Sequence, residues 1–220
     1  MSLHFLHEMN RLNKHIIKLS DTIEQQVSQS IQAIQGLDVV GAQHVIDTDS
    51  KVDQAEIEME EDCLKLLALH QPVAGDLRLI VAVLKINVDL ERIGDHAVII
   101  AEEAINLTKL SPITVPEELF NLSTQAKMML RKSLLAFVED DLNVAKDVLM
   151  LGKNIRQLAD NIFRGQIKDI KSNPENTEQH LYILKVARQL QRIADHATNI
   201  AEDIIFLMSG DIIRHSSTTP

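Results

Sequence analysis

Tryptophan is absent from this sequence, tyrosine occurs once, and only seven glycines and five prolines are spread over 220 residues. Strands favour aromatic residues and glycine-bearing turns, so these shortages argue against a sheet. The residues that dominate instead, Leu, Ile, Ala, Glu, Gln and Lys, include the strong helix formers. The expected class is all-α. The single cysteine, Cys63, cannot close an internal disulfide, and its setting in a partly apolar helical run predicts a buried, inert thiol in a reducing compartment. No run of about 18 apolar residues occurs, and the opening MSLHFLHEMNRLNKH has no continuous apolar stretch of the signal-peptide kind. The expectation is a cytoplasmic chain that neither crosses nor enters a membrane. A formal net charge of -10 argues against nucleic acid as a partner, because phosphate neutralisation needs clustered Lys and Arg.

What is present is amphipathic helix, with 45% hydrophobic and 25% charged residues. Helix-stopping clusters at Gly36–Gly41, His70–Asp76, Leu110–Pro116, Val138–Asp141 and Lys171–Thr177 leave six helices, at roughly 3–35, 38–70, 74–109, 116–137, 141–171 and 175–209. In the third, Leu79, Val83, Ile86, Leu90, Ile93, Ala97, Ile100 and Ala104 advance by alternating threes and fours, the seam of a coiled-coil-like bundle. The sixth repeats the phase with Ile183, Val186, Leu190, Ile193, Ala197, Ile200, Ile204 and Leu207. LERIGDHAVIIAEEAI from Leu90 and LQRIADHATNIAEDII from Leu190 are two copies of one text, and twelve of the twenty-two residues in 84–105 recur a hundred positions later. Internal duplication follows. Short connections make neighbouring helices antiparallel, so the chain is expected to form two tandem three-helix bundles, residues 1–110 and 111–212, with a tail at 213–220.

The polar letters need their own account. Glu91 and Asp95 stand four apart on one helical face, away from the seam, and Asp49 and Asp53 repeat that spacing on the preceding helix. If that hairpin turns at Pro72, Asp49 lies level with Asp95 and Asp53 with Glu91. The rotation of the second helix stays open at this point. Converging carboxylates would repel by about 4 kcal/mol per pair at 4 Å and an effective dielectric of 20, which favours protonation or a bound cation. An all-oxygen set suits Mg, Mn or Fe, as a divalent or trivalent ion, better than Zn. With the second hairpin turning near Asn173, Leu151 falls opposite Asp195 and Ile155 opposite Gln191, so Asp195 is left as the remnant of a degenerate second site.

The other candidates have plainer readings. His96 and His196 follow the aspartates and are expected to pair with nearby acids, not to carry phosphoryl groups. Arg78, Arg92 and Arg192 are expected to make ion pairs across helices. The stripe Leu77, Val81, Leu84 and Val88 is more apolar surface than one three-helix bundle needs, and calls for a cover: the second bundle, a partner helix or a second subunit in a homodimer. No nucleophile with its base and no phosphate-cradling glycine loop stands out, so no catalytic residue is assigned. The alternative is a metal-dependent enzyme that uses an open, carboxylate-bound cation on the bundle.

The run QPVAGDLRLIVAVLKINVDLERIGDHAVIIAE, together with LQRIADHA and its NIAEDI continuation, resembles the PhoU family. The resemblance implies two three-helix bundles whose paired acidic motifs can hold metal clusters on the surface. It maps one such set onto Asp49, Asp53, Glu91 and Asp95, and of the other keeps only Asp195. It further implies a cytoplasmic, often dimeric, non-enzymatic negative regulator. Its partners would be the Pst phosphate ABC transporter and a PhoR-type histidine kinase, and it would meet the membrane only through them.

Overall fold

The structure is a computed structural model describing residues 3–212; the predicted tail at 213–220 lies outside the described residues. Six helices follow in order: α1 (Leu3–Gly36), α2 (Val39–His70), α3 (Ala74–Thr108), α4 (Glu117–Val138), α5 (Leu142–Ser172) and α6 (Thr177–Ser209). A 3-10 turn at Pro174–Asn176 leads into α6. Each predicted helix is found within a few residues of its expected ends, and the described residues contain no strand. None of these helices is long and apolar enough to cross a membrane.

Two reversals show the duplication at atomic level. Leu37 and Asp140 both take the left-handed conformation, with φ of 49° and 52°. The following amides reach back to close the preceding helix, Asp38 N–H to the Ala33 carbonyl at 3.0 Å and Asp141 N–H to the Ala136 carbonyl at 3.1 Å. Each aspartate then caps the next helix. Asp38 accepts from Val40 and Gly41 amides at 3.1 Å each, and Asp141 from Asn143 and Val144 amides at 2.8 and 3.2 Å. Four amides that the helical ladder would leave bare are thereby satisfied.

Burial gives the register of the repeat. Ala42, Val45, Val52 and Met59 of α2 are buried, and so are Ala145, Val148, Ile155 and Ile162 of α5, each 103 residues later. On α3 and α6 the matching offset is 100: Val83 with Ile183, Ile86 with Val186, Leu90 with Leu190 and Ile93 with Ile193 are all buried. The predicted seams are therefore the bundle cores, with Leu79 and Leu207 half-buried at their ends. One continuous apolar core runs through both bundles, because α3 packs on α1, α2 and α6 while α6 packs on α4, α5 and α3. The α3 stripe expected to need a cover is not the face that α6 takes. Leu77 and Val88 stay exposed and Val81 and Leu84 half-buried. Cys63 is fully buried, and burial first, then the Asp62 and Glu60 charges, push its thiol up to about 12, so it is inert as expected.

Removing either cap carboxylate, by Asp38→Ala or Asp141→Ala, is expected to cost about 1 kcal/mol of stability. The two losses should add in the double variant, since the caps sit in different bundles. Urea unfolding checks both, and a loss near zero at either position would show that water replaces the cap.

Candidate functional site

The hairpin of α2 and α3 brings the four predicted carboxylates onto one half-buried to exposed face. Asp49 and Glu91 are both held above their ordinary carboxylate values. For Asp49 the first cause is burial, followed by repulsion from Asp53 and from Asp95 across the hairpin. For Glu91 burial again leads, then Asp95, with Arg92 opposing, and then Glu56 and Asp53 across the hairpin. Each helix thus feels the other's charges at the levels that a turn at Pro72 sets. Glu56 is a fifth member that the sequence reading missed, though it lies three residues after Asp53 on the same face. Its carboxyl is also raised, by burial, then Glu60 and Asp53. Its backbone carbonyl accepts the buried Asn87 amide at 2.9 Å, which ties α2 to α3 beside the acidic face.

The donor set is all oxygen and suits a hard cation in its chemistry. In this structure Arg92 supplies the positive charge: its Nε lies 3.4 Å from a Glu91 carboxylate oxygen and its Nη1 3.3 Å from one of Asp95. Among the described residues no three His, Cys, Asp or Glu side chains are drawn close enough together to hold a metal ion. Among the described residues Arg78, Arg92 and Arg192, expected to pair across helices, make no cross-helix ion pair. Arg92 bridges residues of its own helix, Arg192 approaches Asp195 of its own helix at 4.0 Å, and Arg78 donates to the Leu207 carbonyl at 3.3 Å.

The corresponding face of the second bundle differs from its expected register by one residue. Ile155 points into the core, 1% exposed, and does not face Gln191. Gly152 and Arg156 stand beside Asp195 and Thr198 instead, and a Cβ on Gly152 would come 3.2 Å from the Thr198 hydroxyl. The reversal of the chain extends through the 3-10 turn, so its midpoint lies past Asn173. By the offsets of 103 and 100, Asp49 becomes Gly152, Asp53 becomes Arg156, Glu91 becomes Gln191, and only Asp95 survives as Asp195. Of these four positions in the second bundle only Asp195 is a carboxylate, and one, Arg156, carries the opposite charge.

Between the bundles lies a polar seam that the sequence reading did not assemble. Lys85 of α3 pairs with Asp203 of α6 at 3.1 Å, and Lys185 of α6 pairs with Glu103 of α3; both carboxylates are 1% exposed. Exchanging the repeats turns one pair into the other. Between them His196 Nδ1 lies 2.7 Å from an Asp89 carboxylate oxygen, which also accepts the Asn199 amide at 3.1 Å. His96 has Gln189 in the matching place, its buried Nδ1 has no hydrogen-bond partner within 3.5 Å among the described residues, and its ring lies 5.4 Å from that of His196. Burial, then His196, hold His96 down to about 4. Of the two histidines expected to pair with acids, His196 does and His96 does not.

A duplicated six-helix protein, joined by a pseudo-twofold polar seam and bearing an acidic face on its first half only, is thus the class defined by fold and site. The PhoU domain model matches residues 16–104 and 119–204, one match per bundle. The chain belongs to the PhoU family. A phosphate-specific transport system accessory protein PhoU homolog of Pseudomonas putida is 34% identical over 217 residues, covering 98% of this chain and 84% of the relative. Another from Aquifex aeolicus is 33% identical over 208 residues and covers 94% of each chain. The crystal structure of PhoU from Pseudomonas aeruginosa matches with a TM-score of 0.91 at 32% identity, over 94% of this chain and 100% of that one. The phosphate transport system regulatory protein PhoU from Streptococcus pneumoniae matches with a TM-score of 0.87 at 25% identity, over 94% and 98%.

Because the Asp49 carboxyl is raised on folding, its ionised form opposes folding at neutral pH. The penalty fades as pH falls through the raised value and is gone below the ordinary value of 3.8. Asp49→Asn is therefore expected to stabilise the metal-free protein at pH 7, by roughly 0.2–1 kcal/mol once solvent screening is allowed for. The gain should vanish at acid pH. Denaturation in a chelator at the two pH values checks this, and a destabilised variant at pH 7 would mean that Asp49 has a favourable partner.

Proposed function

We propose that this chain is a non-enzymatic regulator of phosphate uptake and phosphate-starvation signalling. The observation that carries the reading is the likeness to phosphate-specific transport accessory proteins, which extends through both repeats at about a third identity over 98% of the chain. The regulator works in the cytoplasm as a homodimer. Its long helical faces dock on the Pst phosphate ABC transporter and on a PhoR-type histidine kinase, and it keeps starvation signalling off when phosphate is plentiful. Helical bundles of this size offer extended, rigid faces, and charge on those faces selects partner and pose.

In the same reading Asp49, Asp53, Glu91 and Asp95 hold one hard cation such as Mg, Mn or Fe, and Asp195 alone holds none. A bound cation supplies there the positive charge that offsets the repulsion across the hairpin. Glu91 and Asp95 must give up Arg92 to take part, so occupation of the face and the pose of Arg92 are linked.

Deleting the gene is expected to raise a phosphate-regulon reporter in high-phosphate medium, and an unchanged reporter would overturn the regulatory reading. Metal analysis tests the cation separately. The wild type should retain an ion that the Asp49→Ala/Glu91→Ala double variant loses, and equal metal content in both would refute the four-ligand set.

A further inference from the structure

An open groove of about 650 Å³ lies between α5 and α6 at the place where the first bundle carries its carboxylates. Its opening follows from the repeat. Glu56 and Asn87, which fill the first hairpin and tie it together, become Ala159 and Ala187, both in the groove wall. The charges change as well. Asp53 becomes Arg156, Val88 becomes Arg188 and Glu91 becomes Gln191, while Arg192 keeps the place of Arg92. In a chain of net charge -10, the groove collects three arginines and Lys185 against two carboxylates, Asp160 and Asp195.

The cations are unevenly satisfied. Lys185 is engaged by Glu103, and Arg192 lies 4.0 Å from Asp195. Arg156 and Arg188 have no ion-pair partner within 4.0 Å among the described residues. Guanidinium groups offer planar, forked pairs of N–H donors that match oxyanions, and phosphoryl groups above all supply the two negative charges that two unpaired arginines require. One wall adds a different chemistry: Phe163, in the place of Glu60, is 55% exposed, and Leu184 is half-buried beside it. An aromatic ring there can take the flat face of a base.

We propose that the groove between α5 and α6 binds a small phosphorylated anion, its phosphoryl oxygens held by Arg156, Arg188 and Arg192. The shared chemistry is the phosphoryl group; its source is either inorganic phosphate or a nucleotide whose base lies on Phe163. This site is separate from the acidic face of the first bundle and does not depend on the regulatory reading.

Calorimetric titration of the full chain with ADP and with inorganic phosphate tests it. Saturable binding of at least one ligand is expected, weakened by about tenfold or more in Arg156→Gln and in Arg188→Gln, each replacing charge-assisted hydrogen bonds. Arg164→Gln, an exposed change on α5 outside the groove wall, should leave binding unaltered. Tighter binding of ADP that falls in Phe163→Ala assigns the nucleotide, and equal binding of both ligands with no effect of Phe163→Ala assigns inorganic phosphate. No saturable binding of either ligand would overturn the proposal. So would binding that both groove variants leave unchanged, or that Arg164→Gln weakens as much as they do.

Discussion

Two buried carboxylates, Glu103 on α3 and Asp203 on α6, each hold a lysine from the opposite bundle, and the arrangement of the two halves depends on these pairs. The apolar seams face the cores of their own bundles, so they do not by themselves prevent a slip of α3 along α6. Such a slip would leave both carboxylates desolvated without their cations. Leaving a buried carboxylate without its cation is strongly destabilising, so the two pairs together oppose such a slip. The lysines reach them with ammonium groups that remain partly in water, which spares most of the desolvation cost on the cationic side.

Around these pairs the seam is symmetric in position and asymmetric in chemistry. His96 and His196 meet near its centre, where a twofold relation brings each repeat against its own copy. Among the described residues only His196 is hydrogen-bonded to a carboxylate, because Asp89 has Gln189 as its counterpart. Two identical centres would bury two carboxylate–imidazole pairs side by side. With one such pair and one neutral ring, the centre buries less charge while keeping the aromatic contact, so divergence of the repeats has lowered the cost of joining them.

How much of this was legible in the sequence differs by level. The six helices, their ends and the two seams follow from residues that act locally, namely Asp38 and Asp141 as caps and the Leu, Ile and Ala rows of α3 and α6. The heights of Asp49, Asp53, Glu91 and Asp95 follow from the turn at Pro72. The second hairpin went astray by one residue because its reversal runs through a 3-10 turn, and a one-residue error rotates a helix face by about 100°. That rotation exchanged exposed Arg156 for buried Ile155. The polar seam was invisible for another reason: nothing in a sequence states which faces of two bundles meet, and Lys85, Asp89 and Glu103 look like solvent residues until α6 covers them.

Duplication followed by change of charge has a consequence for recognition. A body made of two equal bundles would offer any partner two equivalent poses, related by the twofold of the seam. Here the matching faces carry opposite tendencies: Asp49, Asp53, Glu56, Glu91 and Asp95 on one, and Arg156, Arg188 and Arg192 on the other. A charged partner that is drawn to one face is repelled by the other, and like-charge contacts at an interface cost several kcal/mol. The seam therefore supplies a pseudo-symmetric frame, and the differing faces remove the ambiguity that symmetry would bring. Selection of a single pose needs no difference in backbone between the halves, only the few side-chain differences between the acidic face and the arginine-lined groove.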